Sequence, residues 1–334
     1  MKNKVKPTGV KFVKKLMFST IAVLILFSGC STYSDLKPIR DYIVTEKDLI
    51  PEGICVDSRS QTIYVSSTYK RKIIRISRNG SVSDFIQPLQ DTIGSVIGML
   101  VDERSNLLWV NSVHDKSILP LVKPEIKTEW SNNIYAYNLK SGTLEFKFAL
   151  HEQSAFLNDL TITTSGQIFA TETIGNSVYT IDSENGRLQL FLSVDGLHFL
   201  NGITFSAELN CLFVSANEGI VRINLNDKSY QMLKTNENTD SRFIDGLTFY
   251  KNTLLGHQSS KIEKFHLTDT GTEIFRSEVV DSGKEFDSST TGDIADPFYY
   301  YIVNSQIRSG IDYNNHKIRS IDSLDNYIIR RKKL

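Results

Sequence analysis

A single segment pattern, written six times along the chain, restricts the fold more than any other feature. Glu52 to Ser67 and Asn201 to Ala216 share its template. A polar residue and Gly open a short apolar strand, a turn of Asp, Ser, Asn or Gly follows, and a second strand ends in small residues. The same order recurs from Gly98, Asn158, Asp245 and Thr291. With the residue before the Gly (before Asp159 in the third copy) as a mark, the copies begin at 52, 97, 158, 201, 245 and 291, mostly 43 to 46 residues apart. The long interval, 97 to 158, holds an insertion around Leu119 to Ser131 whose Pro120, Pro124 and mixed charges read as a surface loop.

Most copies run on into a third, alternating strand: 72–76, 133–137, 177–181, 219–223 and 261–265. A fourth follows in several, as in 188–192 and 230–233. Four strands at a period of about 45 residues describe a propeller blade. Apolar periodicity of the helical kind is scarcely visible. The expectation is an all-β chain, a six-bladed β-propeller over 41–334 with four-stranded blades around a central metal site. Asp41 to Thr45 would close the ring with the last copy, because an uncovered sheet edge is a liability. Cys55 and Cys211 fall inside apolar strands of different copies and read as small core residues, with a bridge between them the alternative.

The N-terminus addresses the chain out of the cytoplasm. Lys2, Lys4, Lys6, Lys11, Lys14 and Lys15 precede an apolar run from Leu16 to Phe27, with no acid among them. That is a signal-peptide profile, too short to span a bilayer comfortably. Its ending, Leu26-Phe27-Ser28-Gly29-Cys30, resembles a bacterial lipobox, which implies a lipoprotein signal at 1–29, an acylated Cys30 and a tether over 30–40. An uncleaved anchor is the alternative, and Ser31 favours the outer membrane where one exists. Of 38 basic and 38 acidic residues, six bases leave with the leader, so 32 face 38 acids. A net negative chain argues against nucleic acid as a partner. The run Arg330 to Lys333 reads as a solvated tail.

The first strand of each blade lines the channel, so the marks Glu52, Ile97, Asn158, Asn201, Asp245 and Thr291 converge on the axis. Two carboxylates and two amides form an oxygen-donor ring suited to a hard divalent cation, calcium above all. No His or Cys stands on it, which disfavours zinc, copper and iron. Turn capping explains Asn and Asp at strand starts but not Glu52 in register with them.

Pro51-Glu52-Gly53-Ile54, Leu157-Asn158-Asp159, Leu200-Asn201-Gly202-Ile203 and Ile244-Asp245-Gly246-Leu247 resemble the metal-site signatures of the senescence-marker-protein and gluconolactonase family, over essentially the whole mature chain. Thr290-Thr291-Gly292 and Val303-Asn304-Ser305-Gln306 resemble its closing blade. The resemblance implies a metal-dependent lactone or ester hydrolase, with Glu52, Asn158, Asn201 and Asp245 as ligands and Asp245 as general base. Sugar-lactone members place an Arg shortly before the third-blade Asn, where this chain has Ala155, Phe156 and Leu157. A substrate more apolar than gluconolactone follows. A further likeness to arylesterase-like propellers, in which a His assists, makes His114, His198 and His257 pocket candidates beside Phe156 and Thr291. The rival readings are a non-catalytic propeller that binds a small ligand or partner and a lyase of the strictosidine-synthase type. Ser67-x-x-Lys70 and the acidic turn Asp182 to Gly186 lack the companions that acyl enzymes and calcium loops require.

Overall fold

The computed structural model describes residues 39–113, 132–151, 155–182 and 184–334. The expectations on the leader, Cys30, most of the tether, His114 and the loop around 119–131 lie outside them. Six sheets form the blades, with innermost strands at Ile54–Asp57, Ser95–Asp102, Leu157–Ile162, Ile203–Ser206, Leu247–Tyr250 and Gly292–Ala295; five are four-stranded and antiparallel, and the fifth blade gains an extra, parallel edge strand at Lys234–Thr235. Each innermost strand adjoins the next, and the sixth adjoins the first, which closes the cycle. No α-helix occurs among the described residues.

The blades pack face to face because alternate residues of each strand enter one gap or the other. Each of the six gaps holds one apolar cluster. Phe169 and Val178 of blade 3 meet Leu212 and Val214 of blade 4, for example, all of them buried. Cys55 and Cys211 belong to clusters on different sides of the ring and are free thiols, so the bridge does not form.

The repeated Gly and the small residues ending each second strand have one cause, the closeness of blades at the axis. A side chain on Gly98 would stand 2.6 Å from the carbonyl oxygen of Asn158, and one on Gly202 would stand 2.5 Å from the Leu247 nitrogen. Gly therefore follows the mark wherever the neighbouring backbone comes this near. The small polar residues reach across to the next mark: Asn111 Nδ2 donates to the Asn158 carbonyl (3.0 Å), and Thr171 Oγ1 to that of Asn201 (2.6 Å). Thr290 and Thr291 donate their hydroxyls to the Glu52 carbonyl, each at 2.7 Å, and so join blade 6 to blade 1.

Ring closure uses the strand expected for it. Ile39–Val44 pairs antiparallel with Tyr327–Lys333 and forms the outer edge of blade 6. Its first described residue, Ile39, already pairs with Lys332, and the pairing ends at Val44 opposite Tyr327, one residue short of Thr45. The basic run Arg330 to Lys333 is thus a strand, not a solvated tail. Arg331 is buried with its guanidinium 4.3 Å from the Phe298 ring centre, and Arg330 pairs with Asp41, Asp281 and Glu285. Alternation along the strand lets long basic stems cover apolar surface while their heads find acids.

Candidate functional site

At one mouth of the channel the marks line a cavity of about 340 Å³. Glu52, Ile97, Asn158, Asn201 and Asp245 all face it. Thr291 does not: its hydroxyl is spent on the Glu52 carbonyl, and it borders the chamber deeper in the channel.

Hydrogen bonding prepares the two amides as oxygen donors. Asn158 gives its NH2 group to Thr173 Oγ1 (3.1 Å) and Asn201 gives its own to Asp245 Oδ1 (2.8 Å). Neither side-chain carbonyl has a partner among the described residues, so both remain available to the cavity. Glu52 is only 8% exposed, and its Oε2 is buried without a hydrogen-bond partner. A carboxylate oxygen left so is costly unless a cation or proton meets it. Burial first, then the charges of Asp245 and Asp159, push the Glu52 carboxyl well above the usual range, while Arg308 pulls it back. Asp245 is likewise raised by burial, opposed by the Asn201 hydrogen bond and by Arg308. Among the described residues no three His, Cys, Asp or Glu side chains gather, so half of this donor set is amide.

The cavity wall is aromatic. Phe156, Phe199 and Phe243 each stand two residues before a mark, in blades 3, 4 and 5. Each loop is pinned by a polar side chain: Glu172 Oε1 accepts the Phe156 N–H (2.8 Å), Asn176 Oδ1 accepts that of Phe199 (2.7 Å), and Gln258 Nε2 donates to the carbonyls of Asp240 and Arg242 beside Phe243. Phe199 and Phe243 hold left-handed backbone, φ 59° and 52°, while 52% and 65% exposed. Bulky residues seldom adopt that conformation, and such strain gathers at functional sites.

The described histidines stand elsewhere. His257 is fully buried, with Nδ1 against Ser289 Oγ (2.8 Å) and Nε2 against Tyr299 Oη (2.6 Å). Ser289 donates its own proton to the Ile302 carbonyl, so Nδ1–H donates and Nε2 accepts. Burial pushes the pKa of this imidazole down to about 3. His198 points to solvent and pairs with Glu218 at 2.7 Å, where it fixes the loop before Phe199. Neither lines the cavity.

No family model matches the sequence, and no curated protein matches it either. Solved structures do. A gluconolactonase from Xanthomonas campestris is similar at TM-score 0.60 and 13% identity, over 89% of this chain and 90% of that one. A luciferin-regenerating enzyme is similar at 0.60 and 13%, over 89% and 96%. A catalytically inactive virginiamycin B lyase from Staphylococcus aureus, solved with quinupristin, is similar at 0.56 and 13%, over 89% and 99%. The likeness is one of fold.

Two contributions escape the sequence reading. The aromatic wall has a signal, Phe at a constant offset before three marks, of which only Phe156 is singled out. Arg308 has none. It reaches the cavity from residues 303–326, an excursion between the second and third strands of blade 6, Phe298–Ile302 and Tyr327–Lys333, that obeys no repeat. Its base is fastened by Asn304, which donates to the Asn326 carbonyl and accepts from Ile328 N–H, and by Gln306, which does both with Asp325.

A second pair of carboxylates sits deeper. Asp159 accepts the N–H groups of Leu160 and Ile203, and Asp293 those of Ile294 and Val56. Each spans two blades, which accounts for Asp159 in place of the Gly of other copies. Burial pushes them up to about 7 and about 6.

Proposed function

We propose that this chain is a divalent-cation-dependent hydrolase of a lactone or ester more apolar than gluconolactone, with calcium the fitting cation. Glu52 carries the reading: it lines a cavity shared with Asp245 and two idle amide carbonyls, and one of its carboxylate oxygens is buried without a hydrogen-bond partner. Oxygen donors of mixed charge on rigid strands suit calcium. The likeness in fold to a gluconolactonase supports hydrolysis.

Glu52, Asn158, Asn201 and Asp245 would hold the cation, which when bound supplies a Lewis acid for the carbonyl and a water of lowered pKa. Asn201 fixes the Asp245 carboxylate by one oxygen and leaves Oδ2 to take the proton of the attacking water. Phe156, Phe199 and Phe243 present an apolar wall to the body of the substrate and exclude solvent from the reacting bond. The absence of Arg before Asn158 removes a grip on sugar hydroxyls.

A panel of aryl esters and γ- and δ-lactones, assayed with calcium and with chelator, tests this. Turnover that chelator abolishes and Asp245→Asn lowers by roughly 10²–10⁴ is expected. Stoichiometric calcium with no turnover of any member contradicts it and favours the ligand-binding reading. The leader belongs to the same proposal, with Cys30 lipidated and the propeller displayed on the cell envelope. Palmitate labelling of the wild type but not of Cys30→Ser is expected, and equal labelling contradicts it.

A further inference from the structure

Arg308 enters the cavity from the excursion of blade 6, on the same mouth as Glu52 and Asp245. Its only hydrogen bond among the described residues runs from Nη1 to Ser259 Oγ, at 3.2 Å. It forms no ion pair there, although its charge is felt by both ring carboxylates. A guanidinium meant only to neutralise those acids would close on them within salt-bridge distance.

The excursion that carries it is built rather than loose. Ile50 and Ile311 are buried together, with Tyr69, Ile307 and Ile318 packed on them. Tyr313 donates its hydroxyl to the Ile307 carbonyl at 2.8 Å and borders the same cavity. Arg319 Nε donates to the Ser309 carbonyl at 2.7 Å.

Charge then decides what the cavity accepts. Two carboxylates and one guanidinium leave it one charge negative, but a divalent cation in the ring turns that to one charge positive. A monoanion is the complement, its anionic group on Arg308 and its body against the phenyl wall. The wall runs from Phe243 in blade 5, next to blade 6, to Phe156 in blade 3, across the ring from it, so an apolar body can extend away from the guanidinium within the same opening.

We propose that the ligand of this cavity is an amphipathic carboxylate, its charged group paired with Arg308 and its apolar body held by Phe156, Phe199 and Phe243. The inference rests on the reading of this cavity as the substrate pocket, and it makes Arg308 the residue that sets specificity. Guanidinium and carboxylate pair bidentately, a geometry that Lys does not reproduce.

Calorimetric titration of the full chain tests it, first with calcium and then with phenylacetate or its uncharged isostere phenylacetamide. With calcium present the carboxylate binds about tenfold more tightly than the amide, a typical gain for a charge-assisted pair. Arg308→Gln brings that ratio near one and leaves amide affinity unchanged, Arg308→Lys restores part of it, and Phe243→Ala weakens both probes alike. Thermal unfolding of each variant confirms that it is folded. A ratio undiminished in Arg308→Gln puts the carboxylate on the cation and overturns the proposal, as does failure of the wild type to bind either probe. If calcium gives no heat while the carboxylate preference still vanishes in Arg308→Gln, the metal ring fails and the anion subsite stands.

Discussion

Phe243 shows how one residue can serve the cavity at the expense of the fold. Its left-handed backbone is strained for an aromatic residue, and little burial repays it at 65% exposure. Asn adopts that conformation readily. Phe243→Asn should therefore raise unfolding stability by several tenths to about 1 kcal/mol in urea while weakening apolar ligands. A destabilised variant contradicts the strain argument. His257 gives the pH dependence. Its folded pKa of about 3 lies below the unfolded value near 6.5. Between those values the unfolded chain takes a proton that the folded chain refuses, so this contribution is intact above about pH 6.5 and is lost as pH falls. From about pH 7 to about pH 4.5 the wild type should lose roughly 2 to 3 kcal/mol relative to His257→Gln, which cannot titrate. A gap between the two proteins that does not move with pH contradicts the assignment of a neutral, buried imidazole.

At the scale of strands and loops, what the sequence discloses is what the repeat enforces. The marks and their Gly are legible because neighbouring backbones meet at the axis in most blades, so composition there is constrained copy after copy. Gly202→Ala would put a methyl 2.5 Å from the Leu247 nitrogen and 2.6 Å from the Asp245 carbonyl oxygen, both backbone atoms. A loss of more than about 3 kcal/mol in chemical denaturation is expected, because neither atom can turn aside. A change within about 0.5 kcal/mol would show that the blades can separate there. The excursion 303–326 is the opposite case. It occurs once, its anchors Asn304 and Gln306 act on residues about twenty positions away, and nothing periodic announces that Arg308 returns to the channel. His257 misleads for a related reason: it lies at the level of the ring, yet its strand turns that side chain between blades 5 and 6.

For the whole molecule, closure of the ring is the decisive long-range event. Ile39–Val44 meets a strand nearly three hundred residues away, and its alternate residues face the blade 6 to blade 1 cluster or solvent. Val44 is 1% exposed and Ile43 is 49% exposed. Val44→Asp should cost more than about 3 kcal/mol by burying a charge, whereas Ile43→Asp should stay within about 0.5 kcal/mol. Equal effects in thermal or urea unfolding would mean that the strand is not seated as described. The sequence predicts this closure because an open edge is disfavoured, but the acid partners of Arg330 become visible only once the ends are joined.

The central claim is that Glu52, Asn158, Asn201 and Asp245 act as one cation site, and calcium titration calorimetry on the wild type and Glu52→Gln addresses it most directly. The account predicts one calcium per wild-type chain and a loss of affinity of at least about a hundredfold in the variant, which keeps the shape of the side chain but removes the charge. No calcium bound by the folded wild type, or equal binding by Glu52→Gln, would contradict it.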